Sequence, residues 1–197
     1  MNSIHRLVEQ QVAVSGDRTA IVDGDSVLTY RELNALGNAV ARHLMAAGFR
    51  RGGHANICLP LGGHLAAALL GVLKAGGSYS WIEPARRTAT AGLTIGAGCH
   101  VGARAFMPVD IAPAFADRQP RPNLPILTRS SDIACVLADD DGLPAVMVPH
   151  ETVVSLAASH PFQGHWVGEA GAFDLWVGLI AGLPVSVSAS VPNAAAA

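Results

Sequence analysis

Residues 54–82, HANICLPLGGHLAAALLGVLKAGGSYSWI, contain the pattern that decides the fold. A short apolar run at 54–59 is followed by Pro60 and a glycine pair, then by an apolar stretch over 65–75 and a further run of strand-forming residues over 78–82. The middle stretch is apolar on nearly every face, which is typical of a buried helix. This alternation of strand, helix and strand with short breaks predicts a βαβ unit and therefore a parallel sheet.

A helix and a hairpin are predicted near the start of the chain. Ser3 stands where it can cap a helix whose apolar residues recur at helical spacing as far as Val12. Apolar runs at 20–22 and 26–28 flank the turn sequence Asp23-Gly24-Asp25, which is typical of a β-hairpin.

The next helix has the clearest start signal in the chain. Thr29 and Glu32 have the spacing of a capping box, in which each side chain bonds the backbone N–H of the other residue. The helix that they open carries an apolar stripe from Leu33 to Met45 and is expected to end at Gly48.

The second half of the chain alternates less regularly. Residues 83–129 show no strong period, and one short strand is predicted there, near 105–107. The later predictions are strands at 132–137, 145–148 and 184–187 and helices at 150–158 and 172–181. We therefore predict an α/β fold, a mostly parallel sheet flanked by helices with an N-terminal β-hairpin. Residues 1–191 are expected to form one domain, with 192–197 as a frayed alanine-rich tail.

Composition excludes several classes of protein. Half of the 197 residues are apolar and 14% are charged, unlike a disordered tail, and a net charge of −2 does not favour nucleic acid as a partner. The longest apolar run, 65–73, is stopped by Lys74 and is too short to span a bilayer. No secretory signal is visible, and three widely spaced cysteines suggest neither a disulfide framework nor a metal site. The expected location is the cytoplasm, with no membrane partner.

Three stretches, taken in order, resemble one family. They are VLTYREL at 27–33, LLGVLKAGGSYSWIEP at 69–84, and the pair DIACV at 132–136 and VMVPH at 146–150. Together they resemble the amino-acid adenylation domains of nonribosomal peptide synthetases, within the superfamily of adenylate-forming enzymes that includes acyl-CoA synthetases and luciferases. The resemblance covers residues 3–190 and implies part of the N-terminal subdomain of such a domain.

The family implies a chemistry and a scaffold. Its members use ATP to activate an amino or aryl acid as an acyl-adenylate and then transfer it to the thiol of a carrier protein. The matched motifs are mostly structural: the resemblance implies that Tyr30, Leu33, Leu70 and Ala75 pack the subdomain interior. The family's catalytic lysine and its adenine and ribose motifs have no counterpart here, so the chain is interpreted as the N-terminal part only.

The phosphate-binding loop departs from the family pattern. The family's loop has the form TSGTTGxPKG, whose hydroxyls and backbone N–H groups hold the ATP phosphates. Here residues 137–145 read LADDDGLPA, in which Gly142 and Pro144 persist and Ala145 stands where the family has lysine.

Three carboxylates replace the hydroxyls of that loop. Asp139, Asp140 and Asp141 would repel a triphosphate, by roughly 1 to 4 kcal/mol for each pair of like charges about 4 Å apart. Mg²⁺ could bridge carboxylates and phosphates, but no other motif supports that arrangement. We therefore expect a solvated turn, no bound ATP or Mg²⁺, and no catalytic or metal-ligating residues.

Three residues are candidates for a substrate pocket. His150 matches a family position near the substrate, although a helix-start or packing role is the alternative. The family anchors the substrate's amino group with an aspartate in an FDxS motif, which matches Asp174 in one register and Glu169 in another. A carboxylate stabilised by the start of a helix is the competing interpretation of both acids.

The sequence thus predicts a non-catalytic, adenylation-domain-like protein that acts by binding in nonribosomal peptide or amino-acid-derived natural product biosynthesis. Its expected partner is a second copy of itself, a synthetase or a carrier protein, because low surface charge suggests uncovered apolar faces. The first alternative is one half of a split ATP-dependent adenylating enzyme. The second is a protein that binds a small acid, and the third is a relic or a cut chain.

Overall fold

Two β-sheets and a group of packed helices make up the computed structural model. The model describes residues 2–82, 93–95, 108–109, 112–116, 122–125, 128–138, 144–159, 161–162, 164–166 and 173–187. Its helices are α1 (Ile4–Ser15), α2 (Tyr30–Ala46), α3 (Gly63–Lys74), α4 (Ala112–Ala116), α5 (His150–Ser159) and α6 (Asp174–Ile180). Its strands are β1 (Thr19–Asp23), β2 (Ser26–Thr29), β3 (His54–Ile57), β4 (Ser78–Trp81), β5 (Leu93–Ile95), β6 (Pro108–Val109), β7 (Ile133–Ala138), β8 (Pro144–Pro149), β9 (His165–Trp166) and β10 (Val185–Val187).

The strands form one sheet of four and one of six. The four-stranded sheet has the order β2-β1-β10-β9, and the six-stranded sheet has the order β6-β5-β3-β4-β7-β8. Only the β1–β2 and β7–β8 pairs are antiparallel among the strands that the structure describes. The predicted α/β class, the mostly parallel pairing and the N-terminal hairpin are therefore confirmed. One sheet is predicted from the sequence, whereas the structure has two.

The βαβ unit is confirmed and lies at the centre of the fold. β3 and β4 pair in parallel, with Ala55 opposite Tyr79, and the helix between them contacts both. Eleven of the twelve residues of α3 are buried, as its apolar faces predict. α3 also contacts β1 of the smaller sheet and packs along α2, so this helix joins both sheets to the helical layer.

The N-terminal predictions are confirmed except for one cap. The hairpin turns at Gly24, whose φ of 56° is a left-handed conformation that glycine adopts without strain. Both hydrogen bonds of the capping box between Thr29 and Glu32 are present. Ser3 occupies the N-cap position of α1 but its side chain makes no capping hydrogen bond. The Ser3 hydroxyl lies instead 3.3 Å from the ring of His5, so the predicted cap is wrong.

Later elements agree in part. β7, β8, α5 and β10 fall where the sequence predicts strands and a helix. The short strands β5, β6 and β9 and the helix α4 have no counterpart among the predictions. Helix α6 begins at Asp174 with Phe173 as its N-cap, later than the predicted start at 172, a residue that lies outside the described ones. The strand predicted near 105–107 and the tail at 192–197 also lie outside them, and the single-domain boundary stays a prediction.

The residues of the resembling motifs are in the interior, as expected. Tyr30, Leu33 and Leu70 have no exposed surface, and Ala75 is 9% exposed. The Tyr30 hydroxyl lies 3.0 Å from the Leu183 carbonyl oxygen and 3.2 Å from that of Leu179, which ties the start of α2 to the end of α6.

Buried aromatic groups also join the larger sheet to α6. Trp176 is fully buried, and its indole N–H donates to the Tyr79 hydroxyl at 2.7 Å. Burial raises the pKa of Tyr79, so this hydroxyl stays protonated. No helix in the described part of the chain has the length and apolar character needed to cross a bilayer.

Gly71 allows α3 to approach α2 closely. A Cβ atom there would lie 2.5 Å from Val40 Cγ1 and 2.6 Å from Val40 Cβ, closer than side-chain atoms come in proteins. At Gly37 the nearest atoms are the branched end of Leu70, at 3.0 Å. α2 and α3 therefore touch at a point where one side has no side chain.

We expect Gly71→Ala to lower the free energy of unfolding by about 1 to 3 kcal/mol, because the added methyl group overpacks a β-branched neighbour with one helical rotamer. Gly37→Ala is the matched control and should cost less, since the Leu70 side chain can turn and alanine favours the helix. Urea unfolding measures both values. An equal or smaller cost for Gly71→Ala would contradict this account of the helix contact.

Candidate functional site

Strands β7 and β8 stand before and after residues 139–143, which lie within the stretch that departs from the family's phosphate-loop sequence. The two strands pair antiparallel. The loop follows the carboxyl end of β7, the edge of a parallel sheet at which ligands of α/β proteins bind. Asp139, Asp140, Asp141 and Gly142 lie outside the described residues. Pro144 and Ala145 are the first two residues of β8.

The one lysine of the chain is committed elsewhere. Lys74 is 5% exposed at the end of α3, and its Nζ donates a short hydrogen bond to the Glu9 carboxylate of α1. Burial lowers the pKa of Lys74, and the charge of Glu9 opposes that shift. A buried ammonium group with a carboxylate partner is not placed to contact the phosphates of a ligand.

Asn123 completes a polar network around this ion pair. Its side-chain oxygen lies 3.4 Å from Lys74 Nζ and accepts hydrogen bonds from Asn34 at 2.9 Å and Asn38 at 3.0 Å. Arg42, which belongs to α2 as Asn34 and Asn38 do, donates to the Pro122 carbonyl oxygen at 2.6 Å. Segment 122–125 is thus held across α2 by side chains that the sequence gives no reason to group.

A cationic side chain, Arg51, lies near the start of β7, at the end of the strand opposite the loop. Arg51 pairs with Asp132 at 3.5 Å, beside a cleft of about 880 Å³ whose wall includes Met147 and the hydrogen-bonded pair His54 and Ser78. The Arg129 backbone N–H donates a hydrogen bond to the Asp132 carboxylate and lowers its pKa. The nearby Arg51 lowers this pKa further. A strand rises about 3.3 Å per residue, so Asp132 is roughly 20 Å from Ala138, the last residue of β7.

His150, the first residue of α5, has no exposed surface. Its Nδ1 accepts the Ile4 N–H at 3.3 Å, and its ring makes an edge contact with His5 at 5.7 Å between centroids. Burial lowers the pKa of His150 to about 4. Burial, aided by the charges of His150 and Lys74, lowers that of His5 to about 3. Both rings are therefore neutral at pH 7, and the His150 ring contacts α1.

The two candidate carboxylates have different outcomes. Glu169 lies outside the described residues, whereas Asp174 is the first residue of α6, in the position where a helix dipole stabilises an acid. Within the described residues, no three His, Cys, Asp or Glu side chains are grouped so as to hold a metal ion. Contact of His150, Glu169 or Asp174 with a ligand therefore stays a prediction.

A smaller cleft of about 240 Å³ lies between the hairpin and the starts of α2 and α3. The Asp23 carboxylate accepts the Gly63 N–H at 3.1 Å, and Glu32 accepts from Thr29 within the capping box. On the other side of the cleft, the His64 ring stacks on Phe115 of α4 at 4.3 Å. The sequence pointed to the capping box, but the other groups come from distant segments.

We predict that acid weakens the fold through the buried histidines. Their pKa values are lower in the folded chain than the ordinary 6.5, so their contribution to stability is complete above pH 6.5 and is lost as pH falls toward 4 and 3. His150→Asn keeps an acceptor for the Ile4 N–H and cannot be protonated. The loss of unfolding free energy between pH 7.5 and 5 should shrink by about 2 kcal/mol in this variant.

Urea unfolding at the two pH values measures that loss, and the exposed His64→Asn variant is the control. The same loss in the wild-type chain and in His150→Asn would refute the role of His150.

Comparison with known proteins gives consistent matches. The family model described as AMP-binding enzyme matches residues 8–118. Bacitracin synthase 1 of Bacillus licheniformis is 31% identical over 159 residues, covering 75% of this chain and 3% of the relative. Malpibaldin synthetase of Mortierella alpina is 30% identical over 207 residues, covering 91% of this chain and 4% of the relative. The chain therefore spans a few per cent of the length of these relatives.

A solved structure supports the same fold. The N-terminal subdomain of Klebsiella oxytoca NpsA, in complex with 3-hydroxyanthranilyl-AMSN, superposes with a TM-score of 0.76 at 17% identity. The superposition covers 98% of this chain and 55% of that one. The family match extends over more than half of the sequence, the relatives are peptide synthetases, and the fold is that of an adenylation subdomain. This chain belongs to the AMP-binding enzyme family, as an adenylation-domain-like segment related to nonribosomal peptide synthetases.

Proposed function

We propose that this chain acts by binding, and does not itself adenylate a substrate, in the biosynthesis of nonribosomal peptides or amino-acid-derived natural products in the cytoplasm. The observation that carries the proposal is the commitment of Lys74, the sole lysine, to the buried Glu9 carboxylate. The ammonium group that the family places beside the ATP phosphates then has no equivalent in this chain.

The loop sequence supports the proposal through its charge. Residues 139–141 carry three carboxylates where the family has hydroxyls, and their repulsion of a triphosphate adds several kcal/mol to the loss of a cationic contact. The loop offers the phosphates neither a side-chain hydroxyl nor an ammonium group, so its side chains do not fit ATP. No reaction step through ATP or Mg²⁺ is proposed.

The outer strand of the larger sheet supplies a surface for a partner. β8 is the end strand of its sheet, and its Val146 and Met147 side chains are 53% and 68% exposed. An exposed apolar edge strand is suited to pairing with another chain. We propose that this strand, with the cleft that Met147 lines, docks a second copy of the chain, a synthetase or a carrier protein.

A split enzyme is the alternative. The chain superposes on only 55% of the solved NpsA subdomain, which favours the idea that residues outside this chain complete an active site. The two candidates differ in one measurable respect. Only the split enzyme predicts amino-acid-dependent or aryl-acid-dependent exchange between pyrophosphate and ATP, once the missing part is supplied.

We expect no such exchange from the chain alone or mixed with the products of its neighbouring genes. We also expect no binding of a fluorescent ATP analogue, and a gain of at least tenfold in its affinity when Asp139, Asp140 and Asp141 become Ser, Thr and Ser and Ala145 becomes Lys. The control is Asp25→Ser, which removes an exposed carboxylate from the hairpin turn. Exchange that depends on an added amino or aryl acid would overturn the proposal. Equal affinity of the wild-type chain and of the loop variant for the nucleotide would also overturn it.

The edge strand gives a separate test. Val146→Glu with Met147→Glu should reduce self-association in light scattering, or binding to a purified carrier protein, by at least tenfold, because two charges would have to be buried at the contact. Val27→Glu is the matched control, since Val27 is 51% exposed on the end strand of the other sheet. A wild-type chain that stays monomeric and binds none of these partners would contradict the proposed mode of action.

A further inference from the structure

The cleft between the hairpin and the starts of α2 and α3 has the composition of a ligand site. Its floor is apolar and packed against the core: Ile21 is fully buried, Leu36 is 8% exposed, and Leu28 packs against the same core. With about 240 Å³, it is smaller than the 300 to 1,000 Å³ typical for drug-sized ligands. A ligand of about ten non-hydrogen atoms is the size that it can enclose.

The charge of the cleft has one sign. Asp23 and Glu32 both line it, and no lysine or arginine does so among the described residues. Each carboxylate is held by hydrogen bonds from the backbone, Asp23 by Gly63 and Glu32 by Thr29. A carboxylate has about four acceptor sites, so Asp23 retains capacity for a donor from a ligand. Fixed carboxylates above an apolar floor favour a cation with an apolar body.

An aromatic wall adds a third feature that favours the same ligand. The His64 and Phe115 rings lie nearly parallel, at 20° and 4.3 Å between centroids, so they present one stacked pair beside the carboxylates. Aromatic faces attract both cations and other rings. The position also fits, because Asp23 ends β1 and α3 begins after the carboxyl end of β3, where ligands of α/β folds bind.

We propose that this cleft binds a small organic ammonium ion with an apolar or aromatic body. The ammonium group contacts Glu32 and Asp23, and the body lies on the floor beside the His64–Phe115 pair. The site is distinct from the β7–β8 loop and from the β8 surface, so it does not depend on the function proposed above.

Protein NMR titration with 2-phenylethylamine tests the site on the full chain. We expect shifts concentrated at the amides of Asp23 and Gly63, and at least fivefold weaker binding of 2-phenylethanol and 3-phenylpropionate, which share the ring but lack the positive charge. No saturable shifts at these amides, or equal binding of the neutral or anionic compound, would overturn the proposal.

Two variants separate charge from shape. Glu32→Gln keeps the capping box, in which glutamine also serves, and should weaken amine binding about fivefold. Ala35→Phe fills the cleft from the partly exposed face of α2 and should abolish binding while leaving the fold intact by circular dichroism. Glu151→Gln, at an exposed carboxylate of α5, is the control and should bind as the wild type does. Unchanged affinity in both cleft variants would place the amine elsewhere and refute the site.

Discussion

The ion pair between Lys74 and Glu9 is the constraint on which the helical layer depends. It joins the end of α3 to α1, and through Asn123 it also reaches α2 and segment 122–125. Removing both charges from water costs several kcal/mol for each ion, which their attraction and the added hydrogen bonds must offset. Once the fold is formed, loss of either partner would leave a bare charge in the interior, so neither side chain is free to take another role.

The strongly periodic elements of this fold could be predicted from the sequence because their signals are local. The capping box at Thr29 and Glu32, the glycine turn of the hairpin and the apolar α3 each depend on residues within a few positions of one another. Strands of two or three residues, such as β6 and β9, are too short to show a period. The split into two sheets depends on β1 pairing with β10, which lies more than 150 residues later, and no local pattern specifies that pairing.

The candidate sites show the same division between local and distant information. The composition of residues 139–141 is visible in the sequence, whereas the commitment of Lys74 becomes visible only when Glu9, 65 residues away, is found beside it. Asp23 meets Gly63 across 40 residues in the same manner. Ser3 fails as a cap for a different reason, a local one, since the ring of His5 two residues later lies beside its hydroxyl. A single sequence gives residue types, and the chemistry that they share follows from tertiary contacts.

The contacts that hold this scaffold are independent of the chemistry associated with its family. Tyr30 binds carbonyl oxygens of the α6 region, Trp176 binds Tyr79, and α2 and α3 meet at Gly71. All of these groups lie in the interior, and none needs a nucleotide to satisfy it. None of the residues in these contacts belongs to the loop sequence at 137–145, so a change there from hydroxyls to carboxylates leaves these contacts in place. The same independence supports the proposal that the sheet edge and clefts of this scaffold serve for binding, because a fold by itself does not fix an activity.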